Sequence, residues 1–542
     1  MHICDKMEFQ VIVGILVMTT IIPELSGLRV LGLFPHPGAS HFHFFHPIML
    51  GLAEAGHNVT VVSHFPDKNA PSNYKDLVIG GQDSLTNSVD LAWFANRFSF
   101  GHFLEFFLLH EWGRQSCETA VNSAAMDKLL KIKEKFDVII VEQFNSDCMV
   151  GVAWKLKAPI IGLSSSAIMP YYYNRFGLAH SPSHVPVLFL GYSDKMTFSQ
   201  RLSNWIAAHT FPLLRRFFMD RTDNIILKQK FGNDMPSVTE ISTKISLLLV
   251  NTHYSLSGPR SLSPKIIEVG GVHIKEPKPI DEKLKSILNS SEHGVIYVSW
   301  GSMIRAETLP EEKREGLLNA FGSFKQTVLW KWENDTLANQ PDNVHVYKWM
   351  PQREILCHPK VRVFITHGGL LGSSEAAYCG VPVVATPMYG DQFLNSAAFV
   401  DRGMGKVVKY EEISKETMEE AIKFALDPQT QENAKKVSYS YRNRPKPALE
   451  TAVWWVEHVA ATGGAPLTNC HSTFMTWYEY HLLDVYGVVA VCLITCVASW
   501  VWVIKRICGR SKPSTKNNKS TSDILSAHLY KYKNVLYIAF DE

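Results

Sequence analysis

The sequence predicts an α/β protein with two doubly wound, Rossmann-like domains and one C-terminal transmembrane helix, and three observations support this fold class. Short apolar runs rich in β-branched residues alternate with amphipathic segments of helical length. A proline-rich, charged stretch divides these runs into two series, and an uncharged apolar run lies near the C-terminus. Near-continuous apolar strands separated by helices are typical of parallel sheets that are covered on both faces. We therefore expect ligands where the carboxyl ends of the strands face one another.

Composition limits the classes of protein to consider. At 542 residues the chain is too long for one core, so at least two large domains are expected. Hydrophobic residues make up 46% and charged residues 19%, as in ordinary globular proteins rather than disordered chains. The formal net charge of +3 is small, and no stripe of basic and aromatic residues occurs, which argues against a nucleic-acid partner.

The first residues predict a secretory signal peptide over residues 1–27. Lys6 precedes an apolar run from Val11 to Ile22, and the small residues Ser26 and Gly27 then offer a cleavage point. The protein is therefore expected to enter the secretory pathway.

The first predicted domain covers residues 28–272. Its strands are expected in five apolar runs, which begin at Leu28, Val59, Phe136, Ala158 and Ile245. A linker is predicted over residues 273–285, and a second domain over residues 286–447 repeats the pattern. Its apolar runs begin at Gly294, Gln326, Asn343, Val361 and Gly380. Both domains are therefore predicted to be doubly wound α/β units.

A membrane span is predicted over residues 485–504, because this run of about 20 residues carries no charge and is long enough to cross a hydrocarbon core. Basic residues follow it without an intervening acid, at Lys505, Arg506, Arg510, Lys512, Lys516 and Lys519. By the positive-inside rule the tail 505–542 lies in the cytosol. We expect a single-pass type I protein of the endoplasmic reticulum membrane with its two α/β domains in the lumen, where the sequons at Asn289 and Asn334 can be glycosylated.

Cysteine spacing predicts neither a disulfide framework nor a zinc site. Five cysteines remain outside the signal peptide and the membrane region, namely Cys117, Cys148, Cys357, Cys379 and Cys470. None of them forms a Cys-x-x-Cys pair with another.

The stretch 364–392, FITHGGLLGSSEAAYCGVPVVATPMYGDQ, carries the clearest chemical pattern. A buried strand ends at the turn 367–369, where glycines let a ligand approach the backbone. The helix that begins there exposes free N–H groups and a positive dipole end, which suits a phosphate. Glu375, about two helical turns further on, can accept hydrogen bonds from a ribose diol. Asp391 and Gln392 after the next strand can bind sugar hydroxyls, so the pattern predicts a nucleotide-sugar site.

The longer run from Trp349 to Gln392, WMPQREILCHPKVRVFITHGGLLGSSEAAYCGVPVVATPMYGDQ, resembles the signature of UDP-dependent glycosyltransferases, and of the insect members in particular. The resemblance covers nearly the whole chain, from FPHPGASHFHFFHP near the N-terminus to WVEHV and the C-terminal span. It implies a GT-B fold, with helices in residues 448–484 that return to the N-terminal domain. It also implies transfer of a sugar, expected to be glucose, from a UDP-sugar to a small lipophilic acceptor in conjugation or detoxification.

The resemblance also assigns the donor-binding residues. The indole of Trp349 would stack on uracil, the amide of Gln352 would hydrogen-bond it, and Glu375 would hold the ribose. Asp391 and Gln392 would contact the transferred sugar. The remaining donor-binding positions, several of them around the diphosphate, are Ser299, Gly301, Ser302, His367, Gly368, Gly369, Gly372 and Ser373. The chain has Leu371 where many relatives carry Asn and Lys331 where some carry Arg, which leaves donor affinity and sugar choice open.

The reaction needs a base, and the resemblance places it at His41. An imidazole, with an ordinary pKa of about 6.5, can take the proton of a hydroxyl as the oxygen attacks the anomeric carbon. Relatives orient this histidine with an aspartate. Here Glu142 occupies the end of the matching strand, and Asp147 lies about one helical turn further on. The sequence leaves open which of the two orients His41.

No Asp-x-Asp pair of the kind that holds a metal beside a diphosphate occurs, so we expect metal-independent transfer with inversion and no cofactor besides the UDP-sugar co-substrate. Aromatic residues in segments 65–125 and 165–240 are expected to form a hydrophobic acceptor cleft, although packing of helices against the sheet would explain many of them equally well. Two rival functions remain, a nucleotide-sugar epimerase on the same fold and a non-catalytic lipophile-binding protein. The oligomeric state, including a homo-oligomer, is left open.

Overall fold

The computed structural model describes residues 27–81, 85–94, 101–178 and 180–509. The predicted signal peptide, except for Gly27, and the predicted tail beyond residue 509 lie outside these residues. The chain divides into two compact units, residues 1–474 and residues 475–542. The first unit contains both predicted α/β domains.

The N-terminal part of the first unit is built on a parallel seven-stranded sheet. Its strand order is β3-β2-β1-β5-β6-β7-β8. The strands of this part are β1 (Arg29–Leu33), β2 (Asn58–Ser63), β3 (Tyr74–Val78), β4 (Val89–Asp90), β5 (Val138–Glu142), β6 (Ile160–Ser164), β7 (Ile245–Val250) and β8 (Ile266–Glu268). The strands β1, β5, β6 and β7 are almost entirely buried, as the continuous apolar runs predicted.

Helices cover both faces of this sheet. They are α1 (Ala39–Glu54), α2 (Gly101–Val121), α3 (Ala124–Leu130), α4 (Cys148–Leu156), α5 (Phe198–Phe217), α6 (Met219–Phe231), α7 (Val238–Ser242) and α8 (Tyr254–Ser257). Helix α5 begins with a capping box in which Thr197 and Gln200 satisfy each other's backbone N–H groups.

The C-terminal part of the first unit is built on a second parallel sheet, with strand order β12-β11-β9-β13-β14-β15. The strands of this sheet are β9 (Val295–Ser299), β11 (Thr327–Lys331), β12 (Val344–Tyr347), β13 (Val361–Thr366), β14 (Val383–Ala385) and β15 (Gly405–Val407), and the short strand β10 (Ile304–Arg305) lies outside it. Its helices are α9 (Glu282–Ser290), α10 (Glu311–Gly322), α11 (Gln352–Leu356), α12 (Leu370–Cys379), α13 (Gln392–Asp401), α14 (Lys415–Leu426) and α15 (Pro428–Arg442). Two parallel sheets in two domains, as predicted, form this fold.

A short strand from the first domain is paired within the second. Strand β4 runs parallel to β10, and the backbone N–H of Val89 donates to the carbonyl of Met303 at 3.0 Å. Val89 and Leu91 are buried in the hydrophobic core of the second domain. The hydroxyl of Tyr410 donates to the carbonyl of Leu91 at 2.8 Å. This strand therefore ties the two domains together beside the turn that follows β9.

The chain returns to the first domain after α15. Helix α16 (Ala448–Ala461) contacts α1, and its buried residues Ala452, Val456 and Val459 join the core around β1. Further along, Asn469 accepts a hydrogen bond from the ammonium of Lys265 at 3.1 Å.

Two disulfides correct the interpretation of the cysteines. Cys117 in α2 is bonded to Cys148 in α4, and Cys357 after α11 is bonded to Cys379 in α12. The partners lie 31 and 22 residues apart, so no local spacing pattern marks them. Each bond joins helices that become neighbours only when the sheet is formed.

The second unit contains helices α17 (Trp477–Tyr480) and α18 (Leu483–Gly509). Within the described residues, α18 is the one helix whose length and composition would allow it to cross a membrane. The predicted span 485–504 lies inside it.

Candidate active site

A cavity of about 420 Å³ lies at the carboxyl ends of both sheets. One wall comes from the first domain and includes His41, Trp112 and Phe189. The other wall comes from the second domain and includes the turn after β9 and the beginning of α12. This is the position at which doubly wound sheets bind ligands.

His41 and Glu142 form a pair at the base of the first wall. Strands β1 and β5 are neighbours, with Leu33 opposite Val141, so the residues that follow β1 emerge beside the end of β5. Nδ1 of His41 lies 2.7 Å from Oε1 of Glu142. A carboxylate can only accept, so Nδ1 carries a proton, and the neutral form of this tautomer has its lone pair on Nε2. The buried glutamate thereby fixes the orientation of the imidazole.

The surroundings of His41 are apolar and aromatic. The rings of Phe144 and His36 each lie 4.5 Å from its ring, measured between centroids. Burial, together with the neighbouring histidines His41 and His64, holds the pKa of His36 well below its ordinary value, so this second imidazole is neutral. Asp391 lines the same cavity from the second domain, and burial raises the pKa of its carboxyl, although the bond from Asn395 and the neighbouring His41 oppose this.

Asp147 does not contact His41, which excludes it as the direct orienting partner. It sits at the start of α4, fully buried, where its carboxylate pairs with Arg215 and lies 2.7 Å from Nη2 of Arg175. Burial raises the pKa of Asp147, but the two guanidinium groups offset that effect and lower the pKa to about 2. The one-turn displacement from Glu142 directs this side chain away from the cavity and toward α5.

The second wall contains two turns that need glycine. Gly301 has φ +79° and Gly368 has φ +84°, in the left-handed region. A side chain on Gly301 or Gly369 would also collide with the ring of His367, at 2.8 Å and 2.5 Å respectively. The pKa of His367 is lowered to about 4 by burial and by the nearby Lys331, so this ring is neutral. Ser299 and Ser302 line the cavity beside it.

Helix α12 begins at this second turn. Gly369 occupies its N-cap position, and the first bond back along the helix runs from the N–H of Ser373 to the carbonyl of Gly369. The N–H groups of the first turn therefore have no partner within the helix. Leu370, Leu371 and Gly372 line the cavity there. The positive end of the helix dipole thus faces the cavity, as the sequence predicted.

Gln352 and Glu375 form a second polar pair. The amide nitrogen of Gln352 donates to Oε2 of Glu375 at 2.6 Å, and a side chain on Gly372 would approach that nitrogen to 3.1 Å. Burial raises the pKa of Glu375 to about 7, although the bond from Gln352 opposes this. Trp349 lies at the mouth of the cavity with 67% of its surface exposed, so its ring face is available to a ligand.

Asp391 and Gln392 reach the cavity from the start of α13. Asn395 donates to Oδ2 of Asp391 at 3.1 Å. The side-chain carbonyl of Gln392 accepts from the backbone N–H groups of Met388 and Tyr389, at 2.8 and 3.1 Å, and so holds the loop that precedes Asp391. Gln392 is only 2% exposed, so its side chain is used to hold this loop, a structural role that the sequence did not predict.

Two predicted donor-binding residues do not line the cavity. Gly368 lies behind its turn, where a side chain would meet the hydroxyl of Ser396 at 2.5 Å. Ser373 is fully buried, and its hydroxyl has no hydrogen-bond partner. Both shape the turn rather than face a ligand. Outside the site, Asn289 and Asn334 are exposed, as N-glycosylation requires.

The structure also places residues in the cavity that the sequence analysis did not assign. Lys331 ends β11, pairs with Glu333 at 2.7 Å and lines the second wall. His36, Ser165 and Ser166 line the first wall. Each follows or ends a parallel strand, so the rule that ligands bind at carboxyl ends could have found them. Among the residues that the structure describes, no group of three or more His, Cys, Asp or Glu side chains is placed to hold a metal ion.

Comparison with known proteins agrees with this geometry. The family described as "UDP-glucoronosyl and UDP-glucosyl transferase" matches residues 39–515. UDP-glycosyltransferase UGT5 of Dactylopius coccus is 35% identical over 89% of this chain and 92% of its own length. UDP-glucosyltransferase 2 of the same insect is 33% identical over 93% of this chain and 96% of its own length. UDP-glucuronosyltransferase 1A7 of Mus musculus is 31% identical over 72% of each chain.

Solved structures support the fold. Spinosyn forosaminyltransferase SpnP superimposes with a TM-score of 0.54 at 19% identity, over 80% of this chain and 99% of the other. The kitacinnamycin glycotransferase gives 0.53 at 16% identity, over 80% and 98%. Together with the family match, this similarity to GT-B glycosyltransferases leads to one conclusion: the chain belongs to the UDP-glycosyltransferases, enzymes that transfer a sugar from a UDP-sugar.

Proposed function

We propose that this enzyme transfers glucose from UDP-glucose to a hydroxyl of a small lipophilic acceptor, with inversion at the anomeric carbon and without a metal ion. The observation that carries the proposal is the His41–Glu142 pair, which faces Asp391 across the cavity. The histidine belongs to the apolar wall, where a lipophilic acceptor would lie. The aspartate belongs to the wall built from the nucleotide-sugar pattern.

In the proposed reaction Nε2 of His41 takes the acceptor's hydroxyl proton while the oxygen attacks the anomeric carbon. The bond from that carbon to the diphosphate breaks, and its electron pair leaves with UDP. Glu142 stabilises the imidazolium that forms, because its carboxylate already accepts from Nδ1 at 2.7 Å. A single displacement of this kind inverts the configuration of the sugar.

The departing diphosphate would be stabilised by backbone groups. The turn at Gly301 and the free N–H groups at the start of α12 are fixed before the reaction, so they cost little reorganisation. Trp349, Gln352 and Glu375 would bind the uracil and ribose. This arrangement supports metal independence, since helix dipole and oriented donors can neutralise the charge that a metal would otherwise balance.

We infer glucose as the transferred sugar because a named glucosyltransferase aligns with more of this chain, and at slightly higher identity, than a named glucuronosyltransferase does. The relative named UDP-glucosyltransferase 2 aligns with 93% of this chain at 33% identity, whereas the mammalian glucuronosyltransferase aligns with 72% at 31%. The apolar wall around Phe144, Met169 and Phe189 supports a lipophilic acceptor such as a phenol. Conjugation of such molecules serves detoxification.

The decisive assay uses membranes that contain the full-length protein. They are incubated with UDP-glucose, UDP-glucuronic acid or UDP-galactose, each with a panel of phenols, in the presence or absence of EDTA. We expect β-glucosides from UDP-glucose, in equal yield with EDTA. A uronide as the main product would overturn the choice of sugar, and activity lost to EDTA but restored by Mn²⁺ would overturn metal independence. No conjugate with any pair would favour the binding-protein alternative.

We further propose that the chain is cleaved after residue 27 and anchored by α18 as a type I protein of the endoplasmic reticulum. The two disulfides support an oxidising lumen for the first unit. Protease added to intact microsomes should remove the tail beyond Lys505 and spare the rest. Endoglycosidase should shift the mobility of the wild type but not that of a protein with Asn289→Gln and Asn334→Gln. A protected tail would reverse the orientation.

A further inference from the structure

One face of helix α5 is apolar and lies open to solvent. Its large exposed side chains are Phe198, Leu202, Trp205, Ile206, Leu213 and Phe217. Phe198 is 73% exposed and Phe217 is 68% exposed. The spacing of these residues puts them on one side of the helix, whereas the buried Ala207, Phe211 and Arg215 lie on the opposite side. An exposed apolar surface of this extent marks an interaction site.

The apolar face continues onto helix α2. The rings of Phe218 and Phe107 contact each other edge to face, with 5.4 Å between centroids. Phe107 is 43% exposed, and Leu104 and Leu108 beside it are 57% and 55% exposed. We call the outward residues of α5 together with Phe218 and these three residues of α2 the apolar face.

The exposed charges of α5 and α6 all have one sign. Helix α5 contains no acidic residue, and its exposed charges are Arg201 and Arg216. Helix α6 adds the exposed Arg221 and Lys228, while its two acids, Asp220 and Asp223, are buried. A helix with large apolar residues and basic residues at its surface is typical of proteins that lie on anionic lipid.

The helices that carry the apolar face also pack toward the cavity. Phe211, on the inner side of α5, lies 5.1 Å from the ring of Phe189, which lines the cavity. Helix α2 carries exposed Leu108 next to Leu109 and Trp112, which line the same wall. Helix α2 thus carries part of the apolar face and part of the cavity wall, and α5 packs against a residue of that wall.

We propose that the apolar face docks on the surface of an anionic phospholipid bilayer and thereby holds the acceptor side of the cavity at the membrane, where lipophilic acceptors are dissolved. The inference rests on the proposed lipophilic acceptor and membrane anchor. Chain connectivity supports the lipid surface, because the membrane-length helix α18 begins nine residues after Phe474, the last residue of this unit. A second copy fits less well, since pairing this face with itself would bring Arg216 and Arg221 of both copies together.

The test measures contact with lipid directly. Full-length protein is reconstituted in vesicles of phosphatidylcholine and phosphatidylserine that contain a diazirine-bearing phospholipid, and labelled peptides are mapped after illumination. We expect labels in α5 as well as in α18, and none in α15, where Tyr439 is a comparably exposed aromatic residue at 72%. Leu202→Glu combined with Ile206→Glu should reduce the labelling of α5 several-fold, whereas Tyr439→Glu should leave it unchanged. Arg216→Glu with Arg221→Glu should reduce it only when phosphatidylserine is present.

Kinetics of the same variants provide a second readout. The Leu202→Glu, Ile206→Glu protein should show a raised KM for an acceptor that partitions into the bilayer, with unchanged KM for UDP-glucose and for a water-soluble phenol. An unlabelled α5 in the wild type, or cross-links that join α5 of two copies, would overturn the docking proposal even if conjugation is normal. Absence of transfer to every acceptor would instead overturn the proposed function, because lipid labelling does not depend on turnover.

Discussion

The two walls of the cavity are built by different means. The wall from the second domain, the donor wall, comes largely from one continuous stretch, residues 349–392, together with the turn after β9. It presents backbone groups, helix ends and glycines. The wall from the first domain, the acceptor wall, presents mostly apolar side chains. It is assembled from five separate segments, around His36, Leu109, Phe144, Ser165 and Phe189. The donor wall can therefore tolerate little change, whereas side chains of the acceptor wall can be exchanged without altering the backbone.

This difference predicts that donor binding and chemistry can be separated by mutation. Residues of the first domain should control turnover and acceptor choice. Residues of the second domain should control affinity for the UDP-sugar.

The largest effect should come from His41→Ala. Without the base, turnover should fall roughly 10²- to 10⁴-fold, while UDP-sugar affinity stays nearly unchanged. The loss should be smaller with more acidic phenols, which carry more oxyanion at neutral pH. Steady-state kinetics and calorimetric titration with UDP-glucose measure the two quantities.

His46→Ala is the matched control for that experiment. His46 lies in the same helix and also pairs with a carboxylate, Asp67 at 2.9 Å, but it does not line the cavity. Its removal should leave turnover within a few-fold of the wild type. Full activity of His41→Ala toward a weakly acidic alcohol would contradict the assignment of the base.

A second comparison separates the two acidic residues of the acceptor domain. Glu142→Gln removes a charge-assisted bond to the imidazolium, worth roughly 1.5 to 3 kcal/mol, so turnover should fall about ten- to a hundredfold with little change in melting temperature. Asp147→Asn should do the reverse, because it leaves Arg175 and Arg215 buried beside a neutral amide and destabilises the fold by up to about 3 to 5 kcal/mol. Equal losses of turnover in two stable variants would remove Glu142 as the specific orienting residue.

A smaller effect, confined to the donor wall, is expected for Glu375→Ala. Removing a carboxylate that binds the ribose loses charge-assisted bonds of roughly 1.5 to 3 kcal/mol each, so affinity for UDP-glucose should fall at least about tenfold. The acceptor KM measured at saturating donor should change little. Glu432→Ala, at an exposed position of α15, is the control. Unchanged donor affinity in folded Glu375→Ala would remove this residue from the site.

The same difference explains what could be predicted from the sequence. Strands β9, β13 and β14 and the glycine turns were predictable because local pattern alone determines them, and the resemblance then assigned Trp349 and Glu375. Glu142 and Asp147 could not be separated, because one helical turn decides whether a side chain enters the cavity or meets Arg215. The pairing of β4 with β10 also depends on contact between domains, and no local signal marks it.

The disulfide of the donor wall also could not be predicted, because it joins cysteines that are distant in the sequence. The disulfide between Cys357 and Cys379 joins α11, which carries Gln352, to α12, which carries Glu375. It thus braces the two helices of the donor wall that hold the polar pair. Spacing of 22 residues resembles no known local motif, so the bond became visible only in the folded chain.

The smallest predicted effect is a pH dependence on the donor wall. The pKa of Glu375 rises from 4.5 to about 7 in the unliganded protein, mainly through burial. Its contribution to stability is therefore fully present below about pH 4.5 and is lost as the pH rises through about 7. Glu375→Gln can still accept the bond from Gln352, but its amide does not titrate, so its stability does not fall through this pH range for that reason. Its melting temperature relative to the wild type should accordingly increase from about pH 5 to about pH 8, by a few degrees at most.

Saturating UDP-glucose should reverse the order of the melting temperatures of wild type and Glu375→Gln at about pH 8. Ribose hydroxyls that donate to the carboxylate favour its charged form, so at about pH 8 the wild type should gain more thermal stability from the ligand than Glu375→Gln does. Glu432→Gln, exposed and away from the cavity, should follow the wild type in both series. If the melting temperatures of wild type and Glu375→Gln run parallel across this pH range, the buried carboxyl does not titrate there, and burial is not what sets its charge.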